Sequence, residues 1–195
     1  MFLLKRIISV IVILLILLLV VSIFLVMDWG RSSRKTALDF ADCLASGYSI
    51  QDSYPRQCRD GAGQLFIEDI GNLITKSNLV TISNLKPNSE VRSPVSVEGS
   101  ARGLWYFEGV FPVKIKNVEG KILGTGQAKA QGEWATDDFV DFKADIFFLV
   151  TTTTQAILEL DKDNPSGMPQ NDDSVFMPIT LYPTVSSTSV PVVNR

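Results

Sequence analysis

The chain of 195 residues has no histidine and only two cysteines. Without histidine, the usual base for a serine or cysteine nucleophile is gone, and so is the commonest metal ligand. Histidine-dependent triads and ordinary zinc sites are therefore excluded. A glycine-rich phosphate loop is missing as well. Gly124 and Gly126 stand in a β-prone run with no helix behind them, where glycine marks a bulge or a close backbone approach. Positive charge is also short, with 18 Lys and Arg against 21 Asp and Glu. Lys5 and Arg6 precede the first apolar run, which leaves 16 against 21, a formal charge of −5, for everything after it. An acidic remainder argues against nucleic acid or another polyanion as a partner.

Carboxylates are the only catalytic chemistry left. Asp137, Asp138 and Asp141 form the densest cluster, and they read as a solvated loop. Asp161, Asp163, Asp172 and Asp173 are candidates for a calcium staple between loops, although their spacing lacks the full calcium-loop pattern. No cofactor is expected.

What the chain does have, first, is a long apolar run. From Ile7 to Met27 every residue is apolar except Ser9 and Ser22, about the length a bilayer core demands. A cleaved signal peptide would have a shorter apolar stretch and a small-residue cleavage site, whereas this run ends in Met27-Asp28-Trp29-Gly30. The expectation is an uncleaved single-pass anchor, with residues 1–6 as a cytoplasmic tail and 28–35 as a basic juxtamembrane linker. The flanking charges nearly balance, Lys5 and Arg6 against Arg31, Arg34 and Lys35, so orientation rests on the cysteines. Cys43 and Cys58 are close enough in sequence to pair, and such a bond persists in an oxidising compartment. This places the N-terminus in the cytoplasm and the remainder outside. Phe40-Ala41-Asp42 before Cys43 does not resemble a lipid-attachment site.

Residues 36–70 read as a small disulfide-bearing segment. Ala37, Phe40, Ala41 and Leu44 recur at helical spacing, with Thr36 and Asp39 placed for a capping box and Gly47 for a stop. Closing the loop between Cys43 and Cys58 stabilises by about 3 kcal/mol. The cysteines lack CxxC spacing, so a structural bond is favoured over a redox pair. The Asp60-Gly61-Ala62-Gly63 turn into Leu65-Phe66-Ile67 reads as a hairpin.

After a linker at 71–78, residues 79–182 change to short β-prone runs with turn residues between them, the pattern of an all-β sandwich. Seven strands are expected, near 79–84, 95–101, 110–117, 122–128, 141–148, 155–161 and 175–181. Val113 and Ile115 alternate with Lys114 and Lys116, Phe142, Ala144 and Ile146 with Lys143 and Asp145, and Ala156, Leu158 and Leu160 with Glu159 and Asp161. Each such strand has one buried face and one wet face. Lys86-Pro87-Asn88-Ser89, Val118-Glu119-Gly120-Lys121 and Asn164-Pro165-Ser166-Gly167 are turns. Residues 183–195 read as a disordered tail.

Particular residues carry a resemblance. Asn88 to Arg102, with Ser93-Pro94-Val95 inside it, is followed by Trp105-Tyr106-Phe107-Glu108-Gly109 and the Gly120-Lys121-Ile122-Leu123 turn; Ala128, Ala130, Gly132, Glu133 and Trp134 continue it, and Phe139 to Phe148 supplies the next strand. This stretch resembles the immunoglobulin-like domain of bacterial spore-germination and related envelope proteins. The resemblance implies an immunoglobulin-like antiparallel β-sandwich and no catalytic constellation, and fold alone does not assign function. Trp105, Tyr106 and Trp134 are the candidate interaction patch; if strand alternation held there, Trp105 and Phe107 would share one face and Tyr106 the other. The function expected is a non-enzymatic interaction or scaffolding protein of the cell envelope, whose partner is a protein or a cell-wall component. The rivals are a cell-wall carbohydrate-binding module and a carboxylate-only hydrolase.

Overall fold

A computed structural model describes residues 11–23 and 36–183. Residues 11–23 form a helix, α1, whose isoleucine, leucine and valine side chains are exposed. Among the described residues no helix is long and apolar enough to cross a membrane. The rest of the run from Ile7 to Met27, the juxtamembrane linker and the tail from residue 184 onward lie outside the described residues. The chain divides into two compact units between Glu68 and Asp69.

In the first unit, α2 spans Phe40–Ala45 and is followed by a three-stranded sheet of β1 (Ile50–Gln51), β2 (Gln57–Arg59) and β3 (Leu65–Ile67) in that order. The helix starts three positions later than a Thr36 capping box requires. Asp39 is itself the cap, accepting from the Asp42 N–H at 2.8 Å, because a carboxylate at that position satisfies an orphan amide directly. Gly47 ends the helix with φ +75°. Cys43 and Cys58 are bonded, with Cα atoms 6.2 Å apart, and both are fully buried with Ala37 under Phe40, Tyr48 and Phe66. So small an apolar nucleus is supplemented by buried carboxylates. Asp60 accepts from the backbone N–H groups of Ala37 (3.2 Å), Ala62 (2.9 Å) and Gln64 (2.8 Å). Burial alone would raise its pKa, but these donors outweigh it and hold it below the ordinary carboxylate value. Glu68 receives Arg56 in a two-pronged grip, Nε at 2.8 Å and Nη2 at 2.5 Å.

The second unit is mainly β. Its strands are β4 (Val80–Ile82), β5 (Glu90–Val91), β6 (Val95–Arg102), β7 (Val110–Asn117), β8 (Ile122–Ala130), β9 (Phe139–Phe148), β10 (Thr154–Asp161) and β11 (Ser174–Leu181). They form one hydrogen-bonded sheet in the order β4-β6-β9-β8-β7-β10-β11-β5, antiparallel except for β11 with β5. The expected sandwich is thus a single sheet curled on itself. The curl runs through β8, which pairs with β7 along nearly its whole length but with β9 only near its two ends. Gly124 and Gly126 permit the close approach: a Cβ there would lie 2.6 Å from the Phe147 carbonyl oxygen and 2.9 Å from that of Asp145.

Alternation fills the inside. Val95, Val97 and Ala101 of β6, Phe111, Val113 and Ile115 of β7, Phe142, Ala144 and Ile146 of β9, and Ala156, Leu158 and Leu160 of β10 are buried, joined by Val175, Met177, Ile179 and Leu181 of β11. The Phe111 ring meets Tyr106 and Phe142 edge-on, each at 5.0 Å. On the wet side charges pair across strands: Lys114 with Asp161 (2.5 Å), Lys116 with Glu159 (2.5 Å) and Lys143 with Glu98 (2.7 Å).

Residues 71–78, expected as a linker, instead form consecutive turns pinned to β11. Asn72 accepts from the Phe176 N–H through Oδ1 (2.8 Å) and donates through Nδ2 to the Ser174 carbonyl (2.9 Å), while Lys76 pairs with Asp173 (2.6 Å). Asn84 does the same for β6, accepting from Glu98 N–H and donating to the Ser96 carbonyl, both at 2.9 Å. In each case a side-chain amide stands in for the missing neighbouring strand.

Candidate functional site

Trp105, Tyr106, Trp134, Asp137 and Asp173 line clefts at one end of the curled sheet, where segments 103–109, 131–138 and 162–173 meet. Gly103–Trp105 is a single 3-10 turn, and it exists because Gly103 is jammed against backbone. A Cβ there would lie 1.9 Å from the Thr136 carbonyl oxygen and 2.3 Å from that of Trp134. After the turn, Glu108 and Gly109, with φ of 51° and 75°, reverse the chain between Phe107 and Val110. Gly109 lies beneath the Trp134 indole, whose Cδ1 would be 3.2 Å from an added Cβ.

The 3-10 turn abolishes local alternation. Trp105 and Phe107 do not share a face: Trp105 and Tyr106 are both buried, and Phe107 is 41% exposed. The Tyr106 hydroxyl donates to the Val140 carbonyl at 2.8 Å, and burial pushes its pKa well above the ordinary tyrosine value. Trp134 is half-buried. The neighbouring side chain that reaches solvent most is Leu104, 71% exposed, a residue without a sequence signal apart from the glycine before it. An exposed coplanar pair of aromatics, the feature a sugar-stacking platform needs, is not formed by these three residues.

Shallow clefts surround Leu104. One of about 360 Å³ is walled by Leu79, Arg102, Trp105, Asp137, Lys162 and Asp173, and one of about 300 Å³ by Tyr106, Trp134, Thr136 and Asp137. The Arg102 guanidinium stacks on Phe139 at 4.2 Å and donates to the carbonyls of Asn78 and Asp137.

The acidic candidates are placed as follows. Asp137 and Asp138 lie in the loop, whereas Asp141 belongs to β9 and accepts from the Ser100 hydroxyl at 2.6 Å. Asp161, Asp163, Asp172 and Asp173 line one cleft of about 640 Å³ with Glu159, Lys114 and Lys162. Most of them are engaged: Asp161 with Lys114, Asp173 with Lys76, and Asp172 with the Asn164 amide at 2.7 Å. Among the described residues no group of three or more His, Cys, Asp or Glu is disposed to hold a metal ion. Glu159 and Asp161 are neighbours on the same face of β10. Burial and the neighbouring Glu159 raise the Asp161 pKa, while Lys116 holds Glu159 below its ordinary value against its own burial. Chemically this is a ladder of opposite charges closed on itself.

With the strand order and loop cluster established, the comparison with known families can be made. Residues 79–169 match the family model of the Gmad2 immunoglobulin-like domain of bacterial spore germination. This stretch is similar to the Gmad2 domain. No curated protein and no solved structure matches the chain. The match runs from the residue before β4 to the 3-10 turn at Pro169–Asn171, so β11, which buries Val175, Met177, Ile179 and Leu181, lies beyond it. The matched family is one of non-catalytic domains.

Proposed function

We propose that this protein is a single-pass, membrane-anchored, extracytoplasmic interaction module of the bacterial cell envelope, with its N-terminus in the cytoplasm and the Gmad2 domain outside. The observation that carries this reading is the Cys43–Cys58 bond, which follows the apolar run from Ile7 to Met27 and suits an oxidising compartment. A three-strand sheet around three buried small residues needs such a bond to stay folded. The Gmad2 domain offers loops and faces rather than a reaction centre, and in sandwiches of this type the end loops are the usual contact surface.

Topology is tested with protease added to intact protoplasts. A tag fused after Arg195 is expected to be cut and one placed before Phe2 to be protected. The opposite pattern overturns the reading. Alkylation of the same sample under denaturing conditions is expected to modify Cys43 and Cys58 only after reduction.

A further inference from the structure

Away from the end loops, the outer face of the curled sheet carries a trough of about 730 Å³ whose walls include Lys114, Thr125, Gln127, Lys129, Lys143 and Asp145. It lies where the ladder between β8 and β9 is interrupted. Gly124 pairs with Phe148 and Thr125 with Phe147, then pairing resumes at Lys129 with Lys143 and Ala130 with Phe142. Gly126, between those rungs, forms part of the floor, and no side chain can grow from it without striking the Asp145 carbonyl oxygen.

The resumed rung sets two lysines directly opposite each other on the exposed face. Like charges in that register destabilise a sheet. Lys143 is compensated on its other side by Glu98 at 2.7 Å. Lys129 has no acidic partner within ion-pair reach among the described residues. A local conflict of this kind, in an otherwise consistent strand pair, is where function tends to be found. The lining holds three lysines, of which Lys114 is paired with Asp161, against one carboxylate, although the formal charge of the sequence after Arg6 totals −5.

We propose that this trough binds a linear polyanion, one oxyanion group seated between Lys129 and Lys143 and neighbouring oxygens accepting from the Gln127 amide and the Thr125 hydroxyl. Asp145, the one carboxylate of the lining, keeps the anionic groups at the Lys129 end. The shared chemistry is a repeated phosphodiester or carboxylate on a flexible chain. This names a partner class for the interaction role proposed above and rests on that role only for where the polymer is met.

The test is calorimetric titration of the full chain in detergent micelles with three probes: poly(glycerol phosphate), polygalacturonate and the neutral hexamer of N-acetylglucosamine. Saturable binding is expected with the poly(glycerol phosphate), the polygalacturonate or both, and the pair shows whether phosphate or carboxylate is preferred. Lys129→Gln is expected to weaken it at least tenfold, Lys129→Arg to retain it, and Lys121→Gln, at the exposed tip of the β7–β8 turn, to leave it unchanged. No saturable binding to either polyanion overturns the proposal, as does equal affinity for the neutral hexamer or equal behaviour of Lys129→Gln and Lys121→Gln. Because no membrane orientation enters this measurement, its failure leaves the protease result standing, and the reverse also holds.

Discussion

The two units of this chain solve the same problem with different means. The second unit encloses apolar side chains from every long strand around Phe111 and Phe142, so the hydrophobic effect and close packing hold it. Among its described residues the cysteine unit buries, of the apolar ones, Ala37 and the two cysteines, too little surface to offset chain entropy by itself. It relies on a covalent link, on the Asp60 carboxylate tied to three amides, and on the Arg56–Glu68 pair. The lesson is that the amount of apolar surface a segment can bury decides whether its stability is redox- and pH-sensitive.

That contrast can be broken from either side. The largest effect is expected from Phe111→Ala, which leaves a void beside Tyr106 and Phe142 and should cost about 3–5 kcal/mol. Thermal unfolding of the Gmad2 domain should fall by roughly 10 °C or more, while amide protection of Gln57–Arg59 stays as it was. Cys58→Ser, or mild reduction, should cost about 3 kcal/mol and act in the opposite place. Protection is lost between β2 and β3 by hydrogen exchange, and β6 to β11 are untouched. If either substitution unfolds both units together, the two are not independent and the contrast fails. Asn72→Ala removes two hydrogen bonds from the rim of β11 and should cost about 1 kcal/mol, seen as faster exchange of the Phe176 amide.

Acid gives the gentlest test. Asp60 is held below its ordinary pKa when folded, so its contribution is complete above the unfolded carboxylate value and is lost as pH falls through the lower folded one. Protection at Ala37, Ala62 and Gln64 should therefore weaken in acid, and Asp60→Asn should remove that dependence. A Gmad2 domain that loses protection over the same interval would sink the distinction.

Much of the sheet was legible because its strands have one wet face and one dry face. The span 110–117 coincides with β7, and 155–161 misses β10 by one residue, since alternation of lysine with valine and isoleucine leaves little choice of register. Glu90–Val91 gave no such signal. Two residues are too short to show a period, and they become a strand only because β11 lies alongside. Around Trp105 the alternation rule failed for a reason visible only in three dimensions, the contact of Gly103 with two carbonyl oxygens from the 131–138 loop. The paired glycines at 103 and 109 were the available hint. The trough was hidden more deeply, because opposition of Lys129 and Lys143 depends on the β8–β9 register and is erased in any average of charge along the chain.

Asn72 and Asn84 have a consequence at the scale of many molecules. With their amides covering the stretches of β11 and β6 that β5 and β4 leave open, the sheet offers less unpaired main chain to template a strand from a neighbour. Copies crowded onto one surface would then stay individually folded instead of polymerising edge to edge, and any assembly they join must be built through side chains.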